Sequence, residues 1–117
     1  MTEQAIQRAI ASYLDVALPD DVFYTAVNPI PGKTKAAAGI SKSMGMKAGV
    51  PDLILCFNGK FIGIEVKKEG GYLSKSQKVV HAHIEHAGGR IFTVRSIDDV
   101  QELLNALGIE LRGSVAA

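Results

Sequence analysis

The sequence predicts an α/β domain in which helices cover a mixed four-stranded sheet. Three observations carry this. Asn58-Gly59 lies between two apolar runs, 53–57 and 60–67, the signature of a two-residue type I′ hairpin, because both turn positions need positive φ. Residues 60–67, 74–87 and 90–94 read as strand, helix and strand, and such a crossover is right-handed and sets its strands parallel in one sheet. A helical period over 3–17 and a β-branched, aromatic run over 22–28 precede the hairpin.

In chain order, Ile6, Ala9, Ile10, Tyr13, Leu14 and Ala17 recur at three- and four-residue spacing. Thr2 is placed to cap this first helix and Pro19-Asp20-Asp21 to stop it. Residues 22–28 form the first strand. The stretch 29–48 opens on Pro29, Pro31 and Gly32 and is punctuated by Gly39 and Gly45. A short helix over about 33–44 fits inside an otherwise irregular path, and connections this long are often functional or mobile. After the hairpin and the Gly70-Gly71 break, Ser74 starts a helix that reaches about Ala87 and stops at Gly88. Residues 90–94 form the fourth strand. Ser96 caps a last helix over 97–107, ended by Gly108, and the tail from Arg112 reads as frayed.

The 117 residues are one domain's worth of chain. With a single cysteine, no internal disulfide forms. No apolar run approaches the ~18 residues of a membrane span, and Met1-Thr2-Glu3-Gln4 lacks a signal-like start. A cytoplasmic protein is the expectation, with no membrane partner. The net charge of +1 hides a division: residues 1–21 carry one base and four acids, 22–95 eleven bases and four acids, 96–117 one base and four acids. No acid lies between Asp21 and Asp52, while Lys33, Lys35, Lys42 and Lys47 do. Such a stretch either attracts a polyanion or is a solvated loop.

The hairpin fixes a register, and the register carries the chemistry. Phe57 pairs with Lys60, and counting back sets Asp52 opposite Glu65. Opposed residues point to one face with Cβ atoms ~4.5–5.5 Å apart, and Lys67 projects from that face two residues on. Asp52 alone is explained by a turn after Pro51, and Glu65 alone by an ion pair with Lys67 or Lys68. The combination is not: Glu65 interrupts the apolar run Ile62-Gly63-Ile64-Glu65-Val66, and a carboxylate inside a central strand needs a partner charge or a metal. Paired carboxylates with water and a backbone carbonyl suit Mg²⁺ or Mn²⁺.

Gly49-Val50-Pro51-Asp52, followed across a short hairpin by Glu65-Val66-Lys67, resembles the PD-(D/E)XK nuclease motif. The full run is Gly49 to Leu53, Ile64 to Lys68, Leu73 to Gln77, then Gly88-Gly89, and it resembles the VRR-NUC branch over nearly the whole chain, from Glu3 to about Leu107. The resemblance implies a restriction-endonuclease-like αβββαβ core, a single nuclease domain over 1–117, and Mg²⁺ dependence with Mn²⁺ as a substitute. It implies hydrolysis of DNA phosphodiesters. Small stand-alone members, often from phages or prophages, are similar to Holliday-junction resolvases, which implies branched or four-way DNA, a homodimer and a bacterial host cell. On this reading Asp52 and Glu65 bind the metal with the Val66 carbonyl, and Lys67 assists the attacking water. Glu3 matches the family's acid on the first helix, which supports the metal site and is counted among its ligands. Gln77 matches the glutamine of its second core helix. Each also has a local account: Glu3 is an acid at a helix N-terminus, and Gln77 closes a capping box with Ser74. In one departure, Val94-Arg95-Ser96 lacks the second arginine of the motif that names the family, which leaves that position without a role.

Lys33, Lys35, Lys42, Lys47, Lys68, Lys75 and Lys78 are expected to contact phosphates. His81, His83 and His86 do not make a zinc site, because His81 and His83 diverge on a helix and no other ligands complete a tetrahedron. His81, one turn beyond Gln77, is expected to touch substrate. Cys56 is expected to pack within the sheet. Pro31-Gly32-Lys33-Thr34 lacks the upstream glycine of a phosphate loop, since Val27 stands there. The alternative to a nuclease is a non-catalytic nucleic-acid-binding or dimeric assembly module that keeps the fold.

Overall fold

Strand alternation decides the architecture, because each strand must serve two faces. The computed structural model describes residues 1–27 and 34–112. Its elements are α1 (Glu3–Ala17), β1 (Val22–Ala26), α2 (Lys35–Ser43), β2 (Leu53–Phe57), β3 (Lys60–Val66), α3 (Lys75–His86), β4 (Arg90–Val94) and α4 (Ile97–Ala106). The expected order is therefore present. The first strand stops at Ala26 and the third at Val66, each short of its expected end. Asn28, the opening of the 29–48 stretch, Lys33 and the tail 113–117 lie outside the described residues.

The sheet runs β1-β2-β3-β4. β1 and β3 flank β2 antiparallel, and β4 lies parallel to β3. Asn58 and Gly59 adopt φ of 53° and 73° at the hairpin turn. Phe57 pairs with Lys60 and Leu53 with Ile64, as the two-residue loop requires.

One face of the sheet presents Leu53, Leu55, Ile62, Ile64 and Val94 to α1 and α4. These join Ile6, Ile10, Leu14, Val100 and Leu104 in one buried core. The α1 stripe expected from spacing is the buried one, and Thr2 caps the helix by accepting the Ala5 N–H at 3.0 Å, a contribution of about 1 kcal/mol. The other face carries Asp52, Ile54, Cys56, Phe61, Gly63, Glu65 and Lys67. There α3 packs on β4 and reaches across to Glu65. Among the described residues no helix covers β1 and β2 on that side. Cys56 is exposed between Phe23 and Phe61 in the register, not packed as expected. The period of two assigns Cys56 to this face, and α3 does not extend far enough to cover it. α2 packs on no other helix or strand among the described residues.

Candidate active site

Two close approaches position the acids. A Cβ on Gly49 would sit 2.4 Å from the Ser76 carbonyl oxygen, and Gly49 has φ of +93°. The loop before β2 therefore lies directly on the first turn of α3, which only glycine permits. A Cβ on Gly63 would sit 2.7 Å from Cγ of Pro51, so Pro51 rests on a bare patch of β3. The run Gly49-Val50-Pro51-Asp52 is thus wedged between α3 and the sheet, and Asp52 is delivered to the mouth of the hairpin.

At that mouth the Asp52 carbonyl accepts the Val27 N–H at 2.8 Å, and its carboxylate accepts the Val66 N–H at 2.8 Å through Oδ2. An extended residue points its N–H and C=O to the same edge of the strand. The Val66 carbonyl accordingly faces the Asp52 side. Lys67 N–H turns the other way, to the Val94 carbonyl at 3.0 Å.

Glu65 is 1% exposed on the central strand. The registered neighbour Leu53–Ile64 makes Asp52 its cross-strand partner, as the hairpin arithmetic requires. His81 Nε2 lies 2.9 Å from Glu65 Oε1, and Gln77 Nε2 donates to Oε2 at 3.2 Å. The Glu65 pKa is pushed up to about 9, first by burial, then by the hydrogen bond and charge of Asp52, with Glu3 adding repulsion and Lys67 opposing it. Without a cation the pair therefore keeps a proton, because a second negative charge there is not compensated by its surroundings. That deficit, with hard oxygen donors on Asp52, Glu65 and the Val66 carbonyl, fits a divalent cation.

Lys67 is 7% exposed and makes no ion pair with a described residue. Its ammonium is near enough to Glu65 to favour ionisation, yet it is not consumed by a partner. Glu3 accepts the Lys68 N–H at 3.3 Å. Its charge reaches the Glu65 carboxylate, and among the described residues no three His, Cys, Asp or Glu side chains gather for a metal. Gln77 serves both accounts given for it. Its Oε1 accepts the Ser74 N–H at 2.8 Å to close the capping box, and its amide nitrogen reaches Glu65.

His81 corrects an expectation. It is buried against Glu65, not turned to substrate, because its face of α3 is the one docked on the sheet. Its spacing of four from Gln77 is the sequence signal that the two side chains share one face of α3. Arg95 donates to the Lys68 and Gly71 carbonyls at 2.6 and 3.1 Å, which ties the β3–α3 connection beside Glu3. Lys35, Lys42, Lys47, Lys68, Lys75 and Lys78 are all exposed. Lys68 adjoins the site, and Lys75 and Lys78 lie on the first turn of α3 beside Gln77; Lys35 and Lys42 are on α2, away from any packed element. A cleft of about 420 Å³ lined by Gln4, Gln7, Arg8, Val27 and Asp52 opens on the Asp52 side. Arg8 is a cation there that periodicity alone did not single out.

The VRR-NUC domain model matches residues 2–98, a span that holds every one of these side chains. The chain belongs to the VRR-NUC family. Solved structures share its fold, two of them over most of the chain. One described as a VRR_NUC domain protein has 23% identity and a TM-score of 0.67, covering 90% of this chain and 86% of its own. One described as a VRR_NUC domain has 18% identity and a TM-score of 0.59, covering 90% and 97%. No curated protein matches the chain. The VRR-NUC domain is of the PD-(D/E)XK nuclease type, whose substrate is DNA and whose members generally use a divalent metal. No helix among the described residues is long and apolar enough to cross a membrane.

Proposed function

We propose that this VRR-NUC domain is a Mg²⁺-dependent DNA endonuclease, with Mn²⁺ as a substitute, that cuts branched or four-way DNA as a homodimer. The observation that carries the catalytic part is a buried Glu65 facing Asp52 across the hairpin mouth, with the Val66 carbonyl on the same edge.

Asp52, Glu65 and the Val66 carbonyl would hold the metal. Bound there, it would acidify a water and offset charge on the scissile phosphate. Hydrolysis joins the water oxygen to phosphorus and breaks one P–O bond to a sugar oxygen, which leaves with a proton. Lys67, buried and free of an ion pair, orients the water and neutralises charge developing on the phosphoryl oxygens. Gln77 keeps the Glu65 carboxylate in place, and Glu3 with Arg95 orders the connection after β3. Lys68, Lys75 and Lys78 surround the site with positive charge for the phosphate backbone.

Support for a homodimer comes from the sheet face that no described helix covers, where Phe23 is 67% exposed and Phe61 37%. A two-fold pairing over it is self-complementary and sets two sites for two strands. Branched DNA follows from two coupled sites and remains tied to that pairing.

The test is a cleavage panel of linear, flap and four-way DNA with Mg²⁺ or Mn²⁺, run with solution mass. Wild type is expected to cut the four-way substrate best and Asp52→Ala to cut none. Equal behaviour of the two proteins on every substrate removes the nuclease reading and favours the binding or assembly module.

A further inference from the structure

We infer that His81 is a positioning residue for the Glu65 carboxylate, gripping Oε1 through its Nε2–H while Gln77 grips Oε2. The inference rests on the metal-site reading above and adds a residue to it.

His81 is 7% exposed and Glu65 1%, so water does not compete for the 2.9 Å contact. An ionised carboxylate only accepts hydrogen bonds. Whenever Glu65 binds a cation, the hydrogen between the two groups therefore sits on His81 Nε2. Gln77 and His81 are four apart on α3, which places both side chains over the same point of the sheet. Each oxygen of Glu65 thus has its own donor from one rigid element. Two fixed donors set the plane of the carboxylate. The lone pairs left over are those available to a cation shared with Asp52. A single donor leaves the group free to rotate about its last bond, and the cation then has to select one orientation from several. His83 and His86, on the same helix, are exposed and take no part. What the imidazole brings to position 81 that an apolar side chain lacks is its donor to Glu65.

Mn²⁺ affinity of the DNA-free protein tests this, measured by calorimetry or by the spectrum of free Mn²⁺, alongside kcat and KM on a four-way substrate. His81→Leu keeps the bulk and removes the donor. His81→Gln restores a donor near the position of Nε2. The Leu variant is expected to bind Mn²⁺ about 10–100-fold more weakly, with kcat reduced and KM for DNA unchanged. The Gln variant is expected within about 3-fold of wild type, because orientation of the ligand is what sets affinity. If the Leu variant does not fold, His81→Met carries the same comparison.

Wild-type affinity in a donorless variant overturns the inference, and so does a Gln variant as weak as the Leu one. A wild type that binds no Mn²⁺ refutes the metal site and His81's role with it. A wild type that binds Mn²⁺ but cuts no DNA refutes the nuclease reading alone, and the affinity ratio still decides His81.

Discussion

Replacing Glu65 by glutamine should stabilise the metal-free protein while abolishing cleavage. Burial and the Asp52 carboxylate raise the Glu65 pKa from 4.5 to about 9. Between these values the folded chain holds one proton more than the unfolded chain, so stability falls as pH rises through the window. At pH 7, holding that proton costs roughly 3 kcal/mol, each pKa unit being worth ~1.36 kcal/mol. Glutamine is neutral in both states and avoids this cost. Exchanging the carboxyl for an amide rearranges its contacts with Asp52, His81 and Gln77, and losing one hydrogen bond there returns about 1 kcal/mol. The net gain is about 2 kcal/mol, or roughly 8 °C in Tm for a chain of this size. Urea and thermal denaturation in EDTA at pH 5, 7 and 9 measure it. The wild type should lose stability from pH 5 to 9 relative to Glu65→Gln, at no more than ~1.4 kcal/mol per pH unit. Saturating Mg²⁺ should then stabilise the wild type and leave the variant unchanged. Parallel pH curves for the two proteins, or a variant less stable than wild type at pH 7, would refute the claim that Glu65 is held at a cost.

Three further outcomes follow from the geometry. Lys67→Met should lower kcat by about 10²–10³-fold, the range for losing one charge-stabilising group, while Mn²⁺ binding by calorimetry changes little. Gly49→Ala brings a Cβ to 2.4 Å from the Ser76 carbonyl oxygen at a φ of +93°; it should cost about 2–4 kcal/mol by denaturant titration, as other strained, overpacked sites do. Lys75→Gln, which removes an exposed cation from the first turn of α3, should weaken DNA binding and reduce the salt slope of log K by about 0.9 if that lysine meets a phosphate.

The hairpin was the most legible part of the chain. Asn58-Gly59 defines the register, and the register alone sets Asp52 opposite Glu65, because a strand alternates with a period of two and leaves no freedom. Helix caps were equally local: Thr2, Ser74 and Ser96 each accept the expected backbone N–H. What stayed hidden depends on how elements dock. The α3 sequence shows that Gln77 and His81 are neighbours, but not which strand residue lies beneath them; that is decided by the β3–β4 pairing and the crossover. Nothing in the strand sequence shows that Gly63 makes room for Pro51. Cys56 belongs to an apolar run, yet its face is covered only where α3 extends. The lysines show the other limit, since charge counting gives their number and not their place around the acids.

The open side of the sheet also supplies a reporter that needs no engineering. Cys56 is the chain's only thiol, and it is exposed between Phe23 and Phe61. A maleimide probe will therefore attach at one defined point. Its labelling rate, followed against protein concentration or added DNA, reads directly whether that surface is masked, in the unaltered wild-type chain.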